Sequence, residues 1–140
     1  WAIHTNEYDY ASLTANRERS RSRIAGFEST VYKTKHPVVH VHGETGKKHL
    51  LLGSFVGKFD GYSKSESESL FRLFQTYVTR LENTVRWKWT EGDVVIWDNL
   101  ATQHYAVVDY DEHRVVRRVT VGKHVPVNEK NESSVLLEKR

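Results

Sequence analysis

His104 and the arginines at 114 and 118 are the residues whose types and spacing could do chemistry in this sequence. The imidazole follows Trp97-Asp98-Asn99-Leu100-Ala101-Thr102-Gln103, and the two guanidiniums come ten and fourteen residues after it. A neutral imidazole can ligate a metal, and a guanidinium can hold a carboxylate or sulfonate by a two-pronged contact. Four residues apart in a strand-like run, Arg114 and Arg118 point to one face. Two like charges on one face of a half-buried strand are unfavourable unless an anion lies between them or a carboxylate lies opposite. The pattern suggests a metal beside an anion pocket. The plainer readings are a hydrogen-bonding histidine at a strand end and two solvated arginines in a segment where Arg117 already shows that charge is tolerated. One histidine does not hold a catalytic metal alone.

The elements that must position these residues are read from pattern. Val94-Val95-Ile96-Trp97 reads as a buried strand leading into the Asp98-Asn99 corner, with Tyr105-Ala106-Val107-Val108 and Val115–Val121 as two further strands joined by a charged loop. Val85-Arg86-Trp87-Lys88-Trp89 alternates with period two and is followed by a turn at Thr90-Glu91-Gly92-Asp93. Upstream, 63–82 is the clearest helix: Ser63 with Glu66 forms a capping box, and Leu70, Phe71, Leu73, Phe74, Tyr77, Val78 and Leu81 recur on one face. That stripe reads as packing against a sheet. Residues 29–42 read as extended and 38–53 as a hairpin around Gly43-Glu44-Thr45-Gly46. Residues 1–28 read as a short helix or irregular lead-in, Arg17–Arg23 as a solvated charge run, and 128–140 as a polar, frayed tail apart from Val135-Leu136-Leu137. The fold class that follows is mainly β with a covering helix.

With 140 residues, 38% of them hydrophobic and 28% charged, the chain is long enough for one globular domain. A formal net charge of +3 without a basic block suits small anions and falls short of a nucleic-acid footprint. Cysteine is absent, which excludes disulfides and thiolate metal sites and fits a reducing compartment. No apolar run approaches the roughly 20 residues of a membrane span. The sequence begins at Trp1 and contains no Met, which points to a longer parent protein.

Taken together, Trp97-Asp98-Asn99, Thr102-Gln103-His104-Tyr105-Ala106, Asp109-Tyr110 and Arg114 with Arg118-Val119-Thr120 resemble the taurine dioxygenase (TauD/TfdA) family of Fe(II)- and 2-oxoglutarate-dependent oxygenases. Thr79–Trp87 with Glu91-Gly92-Asp93 is similar to its alkylsulfatase-type branch. The resemblance covers about 1–127, with 128–140 as a tail. It implies a double-stranded β-helix (jelly roll), of which this chain would be the incomplete C-terminal portion. It also implies His104 as the distal Fe(II) ligand and Arg114 as the partner of the far carboxylate of 2-oxoglutarate. Arg118 would reach toward both that co-substrate and a sulfonate or sulfate on the substrate, and Trp97 would be an aromatic near the metal. The implied activity is hydroxylation of the carbon bearing a sulfonate or sulfate ester, with O2 and 2-oxoglutarate consumed and aldehyde, sulfite or sulfate, succinate and CO2 formed. A cytoplasmic enzyme of small anionic organosulfur substrates is implied, acting on neither nucleic acid nor membrane. Relatives in the family commonly self-associate, so the resemblance also implies a homo-oligomer as an option for the full-length parent.

The departures also carry information. The family's His-X-Asp ligand pair lies further upstream of the distal histidine than the 103 residues available here, so it is expected before Trp1. The in-chain candidate, His42-Gly43-Glu44, is rejected because it falls in a glycine-containing turn. Leu100 stands where an arginine is common. The alternative is therefore a catalytically inactive fragment lacking the His-X-Asp ligands. A third reading takes Arg86-Trp87-Lys88-Trp89 as a base-stacking face. Its two tryptophans share one strand face and are better read as packing beneath the helix.

Overall fold

A computed structural model describes residues 1–7, 31–122 and 124–140. The elements are β1 (Ala2–Thr5), β2 (Tyr32–His36), β3 (Val39–Val41), β4 (Lys48–Leu50), β5 (Val56–Phe59), α1 (Lys64–Val78) and β6 (Val135–Lys139), with a 3-10 turn at Leu81–Asn83. Among the described residues the fold is mainly β with one α-helix. The arginine-rich run 17–23 lies outside them.

Four strands form an antiparallel sheet in the order β5-β1-β2-β6. β1 is central, with Ala2 opposite both His36 and Phe59. Residues 2–5 thus form a strand where a short helix or irregular lead-in is expected, and 8–28 of that expected lead-in lie outside the described residues. The strand's four residues are too few to show a period, so only their pairing identifies them. The tail also departs from expectation. Val135–Lys139 closes the far edge of the sheet, with Thr34 opposite Leu136 and Tyr32 opposite Lys139. β2 would otherwise leave a row of unpaired backbone groups. Cross-strand charges add to the pairing, since Lys33 Nζ lies 3.0 Å from Glu138 and 3.4 Å from Glu7.

β3 and β4 form the expected hairpin, with Val39 opposite Leu50 and His40 opposite His49. Its turn closes through Gly46 at φ 65°, a left-handed backbone that glycine adopts freely. The hairpin ladder continues past its strands through Leu51 N–H to the Val38 carbonyl (2.8 Å), and Val41 N–H donates to the Val127 carbonyl (2.9 Å).

Helix α1 starts where the capping box placed it. Ser63 Oγ accepts from Glu66 N, and the Glu66 carboxylate accepts from Ser63 N at 2.8 Å. Leu70, Phe71 and Phe74 pack against the small core of Ala2, Leu52 and Phe59, and Phe59 meets Phe74 edge-on at 5.9 Å. Buried Ser67 adds a polar tie, its Oγ accepting from Phe59 N at 3.0 Å. The stripe is narrower than its pattern. Leu73, Tyr77 and Leu81 are exposed, and Leu81 sits in the 3-10 turn. The support beneath the helix is β5, a four-residue edge strand.

The larger correction concerns 84–122. The expected strands at Val85–Trp89, Val94–Trp97, Tyr105–Val108 and Val115–Val121 form no ladder among the described residues. Val94 and Ile96, expected to be buried, are exposed, and Trp87 is half exposed. Alternation records which side of a strand is suited to burial. A ladder needs a neighbouring backbone as well, and no described segment pairs its backbone with this one in a ladder. The turn at Thr90–Asp93 does form, with Gly92 at φ 89° and Asp93 Oδ2 accepting from Thr90 N at 2.9 Å. Among the described residues no helix is long and apolar enough to cross a membrane.

Candidate functional site

The site is built on the turn after Trp97. Asp98 Oδ1 accepts the backbone N–H groups of Leu100 (2.8 Å) and Ala101 (3.1 Å), and the Asp98 carbonyl accepts from Thr102 N (3.1 Å) and from its hydroxyl. An aspartate that bonds its own following backbone in this way fixes a turn without help from a sheet. The two N–H groups, and after them the His42 imidazole, hold the Asp98 carboxyl below its ordinary pKa. The turn has two outside anchors. His42 Nε2 lies 2.7 Å from Asp98 Oδ2, and Gln75 Nε2 of α1 donates to Gln103 Oε1 at 3.4 Å.

His104 leaves this turn with its ring 5.4 Å from that of Trp97. Arg118 Nη1 is 3.1 Å from His104 Nε2. A guanidinium has only donors, so Nε2 accepts and carries a lone pair. The structure thus brings together two of the three residues singled out in the sequence. Arg114 stands apart. Its guanidinium stacks on the Tyr110 ring at 4.2 Å, and among the described residues it has no hydrogen bond or ion pair to His104 or Arg118. All three side chains are exposed. Arg86, whose guanidinium pairs with Asp109, ties the expected strand at 85–89 to the segment that carries Tyr110.

A lone pair on an exposed imidazole beside an aromatic fits one ligand position of a metal centre. Among the described residues no group of three or more His, Asp or Glu side chains could hold a metal ion. His42-Gly43-Glu44 is no substitute. His42 Nδ1 accepts from the backbone N–H of Glu44 (3.3 Å) and Thr45 (3.2 Å), and its Nε2 faces Asp98, so both ring nitrogens are engaged.

Sequence reasoning missed the histidines behind the hairpin. His40 is fully buried, 5.9 Å from His124 and 6.3 Å from His42 between ring centres, and His49 lies opposite it across the ladder. Its Nδ1 donates to the Val127 carbonyl at 3.3 Å, and its Nε2 is buried without a partner. Burial pushes its pKa down, with His124, His42 and His49 adding to the effect. The period-two spacing of His40 and His42 in an expected hairpin was the available signal, since it puts both on one face.

Comparison with known proteins places these features in a family context. The family model for the taurine catabolism dioxygenase TauD, TfdA family matches residues 2–120. The chain is 57% identical over 133 residues to an alpha-ketoglutarate-dependent sulfate ester dioxygenase of Pseudomonas putida, spanning 91% of this chain and 43% of that protein. It is 58% identical over 127 residues to an alkylsulfatase of Acinetobacter baylyi, spanning 89% of this chain and 40% of that one. The chain therefore covers well under half the length of these relatives. A crystal structure of a taurine dioxygenase from Burkholderia xenovorans superposes with a TM-score of 0.67 at 31% identity, over 99% of this chain and 53% of its own.

Proposed function

The chain belongs to the taurine catabolism dioxygenase TauD, TfdA family, and from that premise we propose that it is the C-terminal portion of an Fe(II)/2-oxoglutarate-dependent dioxygenase. The proposed substrate is a small alkyl sulfate ester or sulfonate, hydroxylated at the carbon bearing the sulfur group. The products are an aldehyde, sulfate or sulfite, succinate and CO2. The reading includes a double-stranded β-helix for the whole domain, of which 1–127 is the C-terminal part, and a cytoplasmic protein. The relatives with the highest identity quoted above are named for sulfate ester and alkyl sulfate chemistry, which is why sulfate esters stand first.

The observation that carries the proposal is the His104–Arg118 pair. Within the family-matched segment, an imidazole nitrogen with a free-base lone pair lies 3.1 Å from a guanidinium. His104 would be one metal ligand, and Arg114 and Arg118 would hold the carboxylate of 2-oxoglutarate and the anionic end of the substrate. Bound Fe(II) with 2-oxoglutarate supplies the oxidative chemistry. The chain's own part is to bind and orient. The planar forks of Arg114 and Arg118 match carboxylate and sulfate oxygens two at a time. Trp97 shields one side of the imidazole from water, and the Asp98 turn sets where His104 starts. Arg118 has to leave His104 Nε2 before that nitrogen can serve a metal, and the freed guanidinium is then available to an anion.

In the full-length protein, His104→Ala should abolish succinate formation coupled to substrate. Undiminished coupled turnover would refute the assignment. A second reading concerns the 140 residues alone, which we infer to be inactive because the described residues offer no set of three metal ligands. Anaerobic addition of Fe(II) and 2-oxoglutarate to this chain should give no charge-transfer absorbance, and a clear band would overturn that inference.

A further inference from the structure

We propose that His42, in the hairpin turn between β3 and β4, is a positioning residue for His104, acting through Asp98. The inference rests on the reading of His104 as a metal ligand. His42 is 56 residues from Asp98 in sequence.

The argument starts from the tautomer. Two backbone N–H groups, from Glu44 and Thr45, point at His42 Nδ1. N–H groups only donate, so Nδ1 is the acceptor and the ring proton sits on Nε2. Nε2–H then donates to Asp98 Oδ2 at 2.7 Å. Asp98 is left with its other oxygen for the Leu100 and Ala101 N–H groups, the bonds that close the turn. Each carboxylate oxygen has its own task, and the rotation of the carboxylate about its stem is set from the hairpin side. That rotation fixes the plane of the turn, and His104 emerges from the turn six residues after Asp98.

The hairpin is a firm reference for this. It is a closed ladder with a glycine turn, and His42 N donates to the Lys47 carbonyl at 2.9 Å while its own carbonyl accepts from Gly46 N at 2.8 Å. The 97–104 segment has no ladder of its own among the described residues. Among the described residues, the other side-chain hydrogen bond from this segment to the helix or the sheets is the longer Gln75–Gln103 bond at 3.4 Å. Groups that orient a metal ligand without touching the metal commonly change affinity by about 10- to 100-fold when removed. An effect relayed through a turn belongs at the lower end, about tenfold.

Two substitutions separate this role from a purely local one in the hairpin. His42→Asn keeps an acceptor where Nδ1 was and removes the donor to Asp98. His42→Gln keeps an N–H donor near the Nε2 position and gives up the acceptor for Glu44 and Thr45. The experiment uses the full-length protein, with Co(II) titrated anaerobically by calorimetry and the thermal midpoint of the metal-free protein measured beside it. His42→Asn should weaken Co(II) binding about tenfold with little change in the metal-free midpoint. His42→Gln should bind Co(II) like the wild type while melting earlier. Asp98→Asn, which sets an N–H2 against Nε2–H, should reproduce the loss seen in His42→Asn and serves if that variant does not fold. Unchanged Co(II) affinity in His42→Asn or Asp98→Asn overturns the inference. So does a loss in both His42 variants that follows their thermal midpoints. A wild-type protein that binds no Co(II) at all refutes the metal reading itself, and is told apart because it precedes any variant.

Discussion

The fold should weaken in acid through His4, and the size of the effect follows from where that residue sits. His4 lies on the central strand β1 and its ring meets that of His36 edge-on at 4.7 Å. Its Nε2 is buried with no partner. Burial, and then the neighbouring His36, push its pKa from 6.5 down to about 4, against the opposing pull of a backbone hydrogen bond with Leu51. The unfolded chain takes up this proton as pH falls through 6.5, and the folded chain resists until about 4. Between those values the unfolded state holds the extra proton, so stability declines with falling pH by about 1.4 kcal/mol per pH unit at most. Over the whole interval this amounts to about 3 kcal/mol, fully present above 6.5 and fully lost below 4. That is a large part of the roughly 5–15 kcal/mol available to a domain. His36 and His40, both lowered first by burial, act with the same sign. His4→Phe keeps a ring against His36 and removes the titration. Urea unfolding of wild type and variant across this range should show the wild-type curve falling more steeply by nearly one proton. Parallel curves would refute the account.

Two further predictions concern the scaffold. Ser63→Ala removes the acceptor for Glu66 N and should cost about 1 kcal/mol of stability, read as a shift in urea midpoint with unchanged slope. Phe59→Ala empties the centre of a very small core, where Phe59 is 3% exposed. It should cost about 3–5 kcal/mol, enough to lose cooperative unfolding in the same assay.

What could be read from the sequence divides by range. The capping box at Ser63 and the glycine turn at Gly46 are both decided within a few residues, and both stand where the sequence put them. β1 and β5 went unread because each has four residues, and β5 contains Gly57 and Lys58, which weaken any apolar alternation. Only Val135-Leu136-Leu137 of β6 stands out from the polar tail in the sequence, because Glu138 and Lys139 are charged, yet Glu138 pairs across the sheet with Lys33 and Lys139 lies over the Tyr32 ring. At the site, the sequence marks His104, Arg114 and Arg118 by type but not their direct contacts: Arg118 meets His104 itself, and Arg114 stacks on Tyr110, only four residues away. The His42–Asp98 bond was beyond reach, since nothing local to either residue names the other.

The segment 84–122 shows why the chemistry was easier to read than the strands that carry it. Val85, Val94, Ile96, Val119 and Val121 are each more than four-fifths exposed, a display of apolar surface that a finished domain does not make. On the proposed reading those side chains face the portion of the domain that the relatives possess and this chain does not span. A strand needs such a partner for its backbone as well as its side chains, so alternation alone could not place one here. The turn before His104 needs no such partner. Asp98 closes it with bonds to Leu100, Ala101 and Thr102, just as Asp93 closes the turn at Thr90 and accepts from Trp87 Nε1 at 3.1 Å. Short-range polar bonds of this kind are written into the sequence at fixed spacing. They keep the corner before His104 in shape while strand pairing around it is absent among the described residues, and that is why the residues on which the proposed function rests were also the most legible.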